Sequence, residues 1–195
     1  MDGTRALPLE RSHLDLLGAA AAGDLAAFEA LCRQHSHQVF RLALGMLGNR
    51  EDAEDVQQET FVKAYQRLRH FRREASFGTW LYTIAARLCL SHRRRRTART
   101  ASLTAAPDAI SSNPDPAAQL MQRESARRVQ RTLVEMAPAD RLIIVLKHIE
   151  ELSHEEIAQI LGCSPESSRS RLHRARRLFR ERYERMCGDD DLSEA

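Results

Sequence analysis

Leu152-Ser153-His154-Glu155-Glu156-Ile157-Ala158-Gln159-Ile160-Leu161-Gly162-Cys163-Ser164-Pro165 reads as a short helix, a tight turn and the first residue of another helix. Ser153 is a good N-cap, and Glu156 stands three residues on, as a capping box requires. Ile157, Ile160 and Leu161 form an apolar stripe at helical spacing. Gly162 suits the left-handed backbone of a helix end at little steric cost. Ser164 caps the next helix, and Pro165 takes its first position, where the missing N–H does no harm. That helix carries Arg169, Arg171, Arg174, Arg176, Arg177, Arg180, Arg182 and Arg185. A short helix, a glycine turn and a basic second helix make a helix-turn-helix plan, whose second helix suits a DNA major groove.

Working outward, the 195 residues allow one domain or two small ones, with a formal net charge of only +3. The placement of charge says more than its sum. Arg93, Arg94, Arg95, Arg96 and Arg99 form a basic run, while Glu51, Asp52, Glu54, Asp55 and Glu59 form an acidic cluster, and Asp189, Asp190 and Asp191 lie in the tail. Opposite charge on separate segments points to two unlike partners, one polyanionic and one basic. Cys32, Cys89, Cys163 and Cys187 are far apart and form no C-x-x-C pair, so reduced structural thiols are expected and no metal site. His154-Glu155 begins the H-E-x-x-H zinc motif, but Ala158 stands where the second ligand belongs. The alanine run at 19–22 leads into Gly23-Asp24, which suits a helix start better than a cleavage site. No apolar run nears the roughly 20 residues needed to cross a bilayer. A cytoplasmic protein without membrane insertion is expected.

Helical periodicity recurs along the chain, and no strand pattern does. Leu25, Phe28, Leu31 and Cys32 make one stripe; Val39, Leu42, Ala43 and Met46 another, ending near Gly48-Asn49. Ala53, Val56, Thr60, Ala64 and Leu68 make a third, and Trp80, Leu81, Ile84, Ala85 and Leu88 a fourth that runs into the arginine block. Residues 97–118 carry Pro107, Pro114 and Pro116 among Ser, Thr, Ala and Asp with no apolar period, as a flexible linker would. Helical pattern then resumes through Val129, Leu133 and Met136, and again through Leu142, Ile143, Val145, Leu146 and Ile149. The pattern predicts an all-α protein of two small helical domains joined by a flexible linker. Its parts are an N-terminal extension at 1–22, a helical bundle at 23–96, the linker, a helix-turn-helix domain at 119–187 and an acidic tail at 188–195.

Three groups of residues are candidates for function. Arg169, Ser170, His173 and Arg174 lie along one strip of the basic helix near its start, where helix-turn-helix proteins meet base edges, with Leu172, Ala175 and Phe179 turned inward. Asp52, Asp55 and Glu59 share one helix face opposite Ala53, Val56, Thr60 and Ala64. Such a face is ordinary solvation in many helices, or a docking surface for a basic protein. No histidine, nucleophile or glycine-rich loop accompanies it, so catalysis is not expected. The segment His70-Phe71-Arg72-Arg73-Glu74-Ala75-Ser76-Phe77-Gly78-Thr79-Trp80-Leu81-Tyr82 mixes rings with arginines, as suits unpaired bases. Phe77 and Trp80 can equally be core.

In this order the three segments resemble a sigma factor of bacterial RNA polymerase, most closely the small extracytoplasmic-function (ECF) type. Asp52-Ala53-Glu54-Asp55-Val56-Gln57-Gln58-Glu59-Thr60-Phe61-Val62-Lys63-Ala64-Tyr65 resembles the family's core-binding helix. Phe77-Gly78-Thr79-Trp80-Leu81-Tyr82-Thr83-Ile84-Ala85 resembles the segment that follows it, and residues 152–176 resemble its C-terminal helix-turn-helix. The resemblance spans roughly residues 23–186. It implies a non-enzyme without cofactor that directs core RNA polymerase to promoters and helps open the duplex, under control of an anti-sigma factor. It implies that Asp55, Gln58 and Glu59, with Asp52 beside them, dock on the coiled coil of the polymerase's largest subunit. It implies that Phe71, Arg72, Phe77, Trp80, Arg87, Arg93 and Arg94 face the −10 element. It also implies that Arg169, Ser170, Arg171, His173 and Arg174 read the −35 duplex, with Lys147 on a phosphate. Two positions depart from the family: Arg87 stands in place of the usual Asn, and Ser91 in place of the usual Asp.

Overall fold

The computed structural model describes residues 13–72, 74–99 and 116–193, with side chains described over 13–72, 74–93 and 124–187. Among them there is no strand. The elements are α1 (His13–Ala21), α2 (Leu25–Leu47), α3 (Arg50–Arg67), a 3₁₀ turn (Leu68–His70), α4 (Phe77–Arg99), α5 (Pro116–Glu135), α6 (Pro138–Ile144), a π-helical turn (Val145–Ile149), α7 (His154–Leu161) and α8 (Pro165–Ser193).

Short-range chemistry sets most of these boundaries. Asp24 caps α2 by accepting from the Ala27 N–H at 3.1 Å. Gly48, with φ 81°, ends α2, and its N–H returns to the Leu44 carbonyl. Asn49 then caps α3 by accepting from the Asp52 N–H at 2.8 Å. Ser76 starts α4 by accepting from the Thr79 N–H. Around α7 both halves of the capping box form: Glu156 N–H to Ser153 Oγ at 3.1 Å, and Ser153 N–H to Glu156 Oε2 at 2.9 Å. Gly162, at φ 63°, takes the left-handed end of α7, and Ser164 accepts from the Ser167 N–H at the head of α8.

Helices α1 to α4 form an amino-terminal unit in which α2 packs on α1, α3 and α4. Its core holds Leu31, Leu42, Met46 and Leu81 with no exposed surface, and the stripe Ala53, Val56, Thr60, Ala64 of α3 faces inward. Residues 13–21, placed by the sequence in an extension ahead of the bundle, form α1 and bury Leu16, Leu17 and Ala20. The ends of the expected linker are helical, 97–99 in α4 and 116–118 in α5; residues 100–115 lie outside the described residues. Helix α8 runs on through 188–193 of the expected tail.

Helices α5 to α8 form the carboxy-terminal unit, in which α8 packs on α5, α6 and α7. The single helix expected around Leu142 to Ile149 is α6 followed by a π-helical turn. The Glu150 N–H reaches back five residues to Val145 O, and Glu151 takes φ 56°. A non-glycine residue there is strained.

The units do not stand apart. The π-turn and α5 lie on α2, and α7 lies on α4, so one continuous apolar cluster runs through both. Arg141, fully buried, donates to the Met46 carbonyl in the last turn of α2 and to the Leu133 carbonyl near the end of α5. Burying a guanidinium is costly. Here the negative ends of two helices offset part of that cost. Burial, with Arg93 adding a second positive charge nearby, lowers the Arg141 pKa to about 9, which leaves it a cation at neutral pH.

Candidate nucleic-acid interface

The basic strip is built by how α8 seats itself. Leu172 and Ala175 are buried against α6 and α7, as the periodicity predicts, and Phe179 is half-buried. That rotation leaves Arg169, Ser170, Arg171, His173, Arg174, Arg176 and Arg177 exposed on the other side. Two of the expected base-reading arginines, Arg169 and Arg174, are held by acids. Arg174 Nη2 lies 2.8 Å from Asp140 Oδ1, a carboxylate only 11% exposed, and Arg169 lies 3.5 Å from both Glu155 and Glu166. A guanidinium oriented before it meets DNA loses less freedom on binding. Lys147 is turned inward in part, and its ammonium donates to the Leu152 carbonyl at 2.9 Å, bracing the turn into α7. His154 is hydrogen-bonded to Ser168 Oγ, tying α7 to α8. Desolvation and then the nearby cations Lys147 and Arg169 push its pKa down, so it packs as a neutral ring at pH 7.

The acidic face of α3 divides. Asp55 and Gln58 are exposed, and Glu59 is half-exposed with Lys63 at 3.0 Å. Asp52 belongs instead to the helix start: it sits with Asn49 and lies 3.5 Å from His92 Nε2 on α4. Val62 and Tyr65, both exposed, continue the face one and two turns on.

The aromatic segment folds on itself. Phe71 and Trp80 have ring centres 5.0 Å apart, and Phe77 lies 5.7 Å from Trp80 and 5.4 Å from His35. Phe77 is 3% exposed, so its expected role against bases gives way to a core role in this arrangement. Phe71 and Trp80 are half-buried at the rim, and Arg72 is exposed. Arg87 is exposed on α4, Arg93 is half-buried near Arg141, and the Arg94 side chain lies outside the described residues. Ser91 donates to the Leu88 carbonyl of its own helix. Burial pushes the Cys89 thiol up to about 12 and the Cys32 thiol up to about 11.

Two features were not anticipated. A groove of about 560 Å³ opens between α5, the π-turn and α8, with Val129, Leu133, Ile144 and Phe179 as its floor and Arg176 and Arg180 at its edge. The second is a buried polar cluster between the units. Arg41 on α2 donates through Nε and Nη2 to Glu150 at 3.1 and 3.0 Å, and Tyr82 Oη on α4 donates to the same carboxylate at 2.5 Å. Burial and the Glu150 carboxylate together push the Tyr82 phenol well above its usual range. Among the described residues no group of side chains could hold a metal, and no helix is long and apolar enough to cross a membrane.

Comparison with known proteins places this geometry. Residues 31–99 match the family model for Sigma-70 region 2, and residues 126–179 match that for Sigma-70, region 4. The chain is 31% identical to the ECF RNA polymerase sigma factor SigW of Bacillus subtilis, over 82% of this chain and 90% of that protein. It is 36% identical to the ECF RNA polymerase sigma factor SigE of Mycolicibacterium smegmatis, over 83% of this chain and 64% of that protein. Among solved structures, CnrH in complex with the cytosolic domain of CnrY aligns with a TM-score of 0.62 at 28% identity, over 85% of this chain and 93% of that one. The sigma factor RpoE of Bartonella quintana, solved with the anti-sigma factor NepR, aligns with a TM-score of 0.63 at 21% identity, over 82% of this chain and 98% of that one, a likeness of fold. The chain belongs to the ECF sigma-factor family, a family of transcription regulators.

Proposed function

We propose that this chain binds core RNA polymerase through α3, captures unpaired −10 bases beside α4, and reads a −35 duplex with the first half of α8. The observation that carries this reading is the separation of two exposed surfaces of opposite sign. Asp55, Gln58 and Glu59 project from one unit, and Arg169, Ser170, Arg171, His173 and Arg174 from the other. An anionic helix face suits a basic protein surface. A capped turn presenting a row of arginines suits base edges and phosphates, with each bidentate contact to a base worth about 1–3 kcal/mol of discrimination. Phe71, Trp80, Arg72 and Arg87 offer ring edges and charge to unstacked bases. Lys147 spends one of its three ammonium hydrogens on the Leu152 carbonyl and keeps two for a phosphate.

On this reading the protein has no reaction of its own, needs no cofactor and works in the cytoplasm, where the polymerase is. Control by an anti-sigma factor fits the likeness of fold to the sigma factor RpoE of Bartonella quintana, which was solved with the anti-sigma factor NepR. The groove on the carboxy-terminal unit, apolar below and cationic at its edge, suits an amphipathic helix with acidic flanks.

Retention on core polymerase tests the docking face with the full chain. Glu59→Arg reverses a charge at the centre of the α3 face, and core affinity should fall at least about tenfold, or ~1.4 kcal/mol. Wild-type retention by the variant, or tight binding of the wild type to a palindromic duplex without polymerase, would refute the assignment.

A further inference from the structure

Arg174 differs from the other arginines of the strip in what holds it. Its Nη2 donates to Asp140 Oδ1 at 2.8 Å, and that carboxylate is largely buried in the first turn of α6. Arg169 leans on Glu155 and Glu166 at 3.5 Å, and Arg177 on Glu181 at 3.6 Å, and all three acids are exposed. Exposed pairs of that kind contribute little and give way when a phosphate competes. The Asp140 pair is built to stay. Leu172 and Ala175, on either side of Arg174 in the sequence, are buried, so α8 cannot turn beneath it. Arg141, next to Asp140, is fully buried and donates to the Leu133 carbonyl, which fixes α6 to α5 at that point. Asp140 does not cap α6: the cap position is Ala137, and no side chain closes it. A negative charge in a first turn favours the helix mildly, but that alone calls for no burial. Burying a carboxylate is costly unless a cation meets it. The cation that meets this one stands on the helix assigned to DNA, 34 residues further along the chain.

We propose that Asp140 is a positioning residue for −35 recognition: it sets the Arg174 guanidinium toward one base pair and keeps it off the phosphates. The proposal rests on the −35 part of the sigma-factor reading above. A guanidinium is a rigid plane with five hydrogens. Nη2 carries two of them, one beside the Nε hydrogen on the side of the plane and one beside Nη1 at its end. Asp140 takes one, and whichever it takes, the other two-hydrogen fork stays intact for the O6 and N7 of a guanine. The plane cannot swing to the sugar–phosphate backbone without abandoning a buried carboxylate. The carboxylate also cancels much of the positive charge that would draw Arg174 to a phosphate. A base edge offers directed acceptors rather than net charge. The pair therefore weakens the contact that is blind to sequence and spares the one that reads it.

The test uses holoenzyme assembled from core polymerase and the full-length protein, binding a promoter library randomised across the −35 element. Arg174→Ala first identifies the base pair whose preference depends on Arg174. Asp140→Ala should cut discrimination at that same base pair by about fivefold or more, and leave other positions within about twofold. Its affinity should also fall more steeply with salt. The slope of log Kd against log salt should rise by about 0.9, because the freed guanidinium takes a phosphate. Asp140→Asn keeps an acceptor oxygen without the charge, a weaker bond, so its discrimination should lie between the two. In an Arg174→Ala background, Asp140→Ala should add nothing at that base pair. A purely structural acid gives another pattern: weaker binding to every −35 sequence, with no base pair singled out and no steeper salt slope. That pattern, or wild-type discrimination in Asp140→Ala, overturns the proposal. If Asp140→Ala loses helix content by circular dichroism, Asp140→Asn decides alone, and unchanged discrimination overturns it. A wild-type holoenzyme with no −35 preference, or an Arg174→Ala variant that keeps all of it, refutes the −35 reading instead, whatever Asp140 does.

Discussion

Arg87 stands where the resemblance to sigma factors leads one to expect asparagine. It projects from α4 into solvent while its neighbours Leu88 and Cys89 are buried. Arginine brings a fixed charge and five donors, and lacks the paired donor and acceptor of an asparagine amide. Arg87→Asn should therefore change base preference at the −10 element while core affinity stays within about twofold. Transcription from a library randomised across the −10 positions checks it, and identical base preferences for the two proteins would count against it. Single residues were unevenly legible in the sequence. Leu172 and Ala175 could be placed inward because their helical spacing has one consistent face. Phe77 could not, because an aromatic ring in a basic segment fits either a base or a core, and only His35, Phe71 and Trp80 around it decide. Arg141 and Glu150 carry no local signal. A charged residue in or beside an apolar run is costly unless partnered, and their partners lie 95 and 109 residues away.

Among the elements, α7 depends most on its ends. Eight residues are too few to be stable in isolation, so caps and packing hold it. Ser153 and Glu156 each satisfy the other's backbone N–H. Ser153→Ala should cost about 1 kcal/mol of stability. Glu156→Ala should cost a similar amount, and the double variant less than the two together, because one motif is lost once. Urea midpoints of the three variants measure this, and strict additivity would show the box to be two unrelated contacts. The box and the turn were readable in advance because a cap is a matter of residue type at fixed offset. The π-turn was not, since Val145 to Ile149 has the composition of any buried helix. Helix α1 escaped for a related reason: Leu16, Leu17 and Ala20 form a stripe too short to separate from an apolar tail.

For the molecule as a whole, the shared apolar core implies joint unfolding. Trp80, the only tryptophan, reports on the amino-terminal unit, whereas far-ultraviolet circular dichroism reports on helices of both. Their denaturation curves should superimpose in the wild type. They should separate in Gly45→Leu, whose side chain would push on Val145 and Ile149 of the carboxy-terminal unit and leave two units of modest size to stand alone. Separate transitions in the wild type would show the interface to be weak. Two domains were visible in the sequence because each has its own periodic stripes. Their contact was not, because Gly45 looks like a defect in α2 until Val145 and Ile149 are in place 3.1–3.2 Å from where its Cβ would stand. The Arg141 bridge also has a temporal side. The ribosome delivers Met46 long before the guanidinium that will satisfy its carbonyl, with 95 residues still to be translated. Until then the nascent chain carries a helix end that water alone must serve, so the first half of the protein reaches its finished form only when the second half has been made.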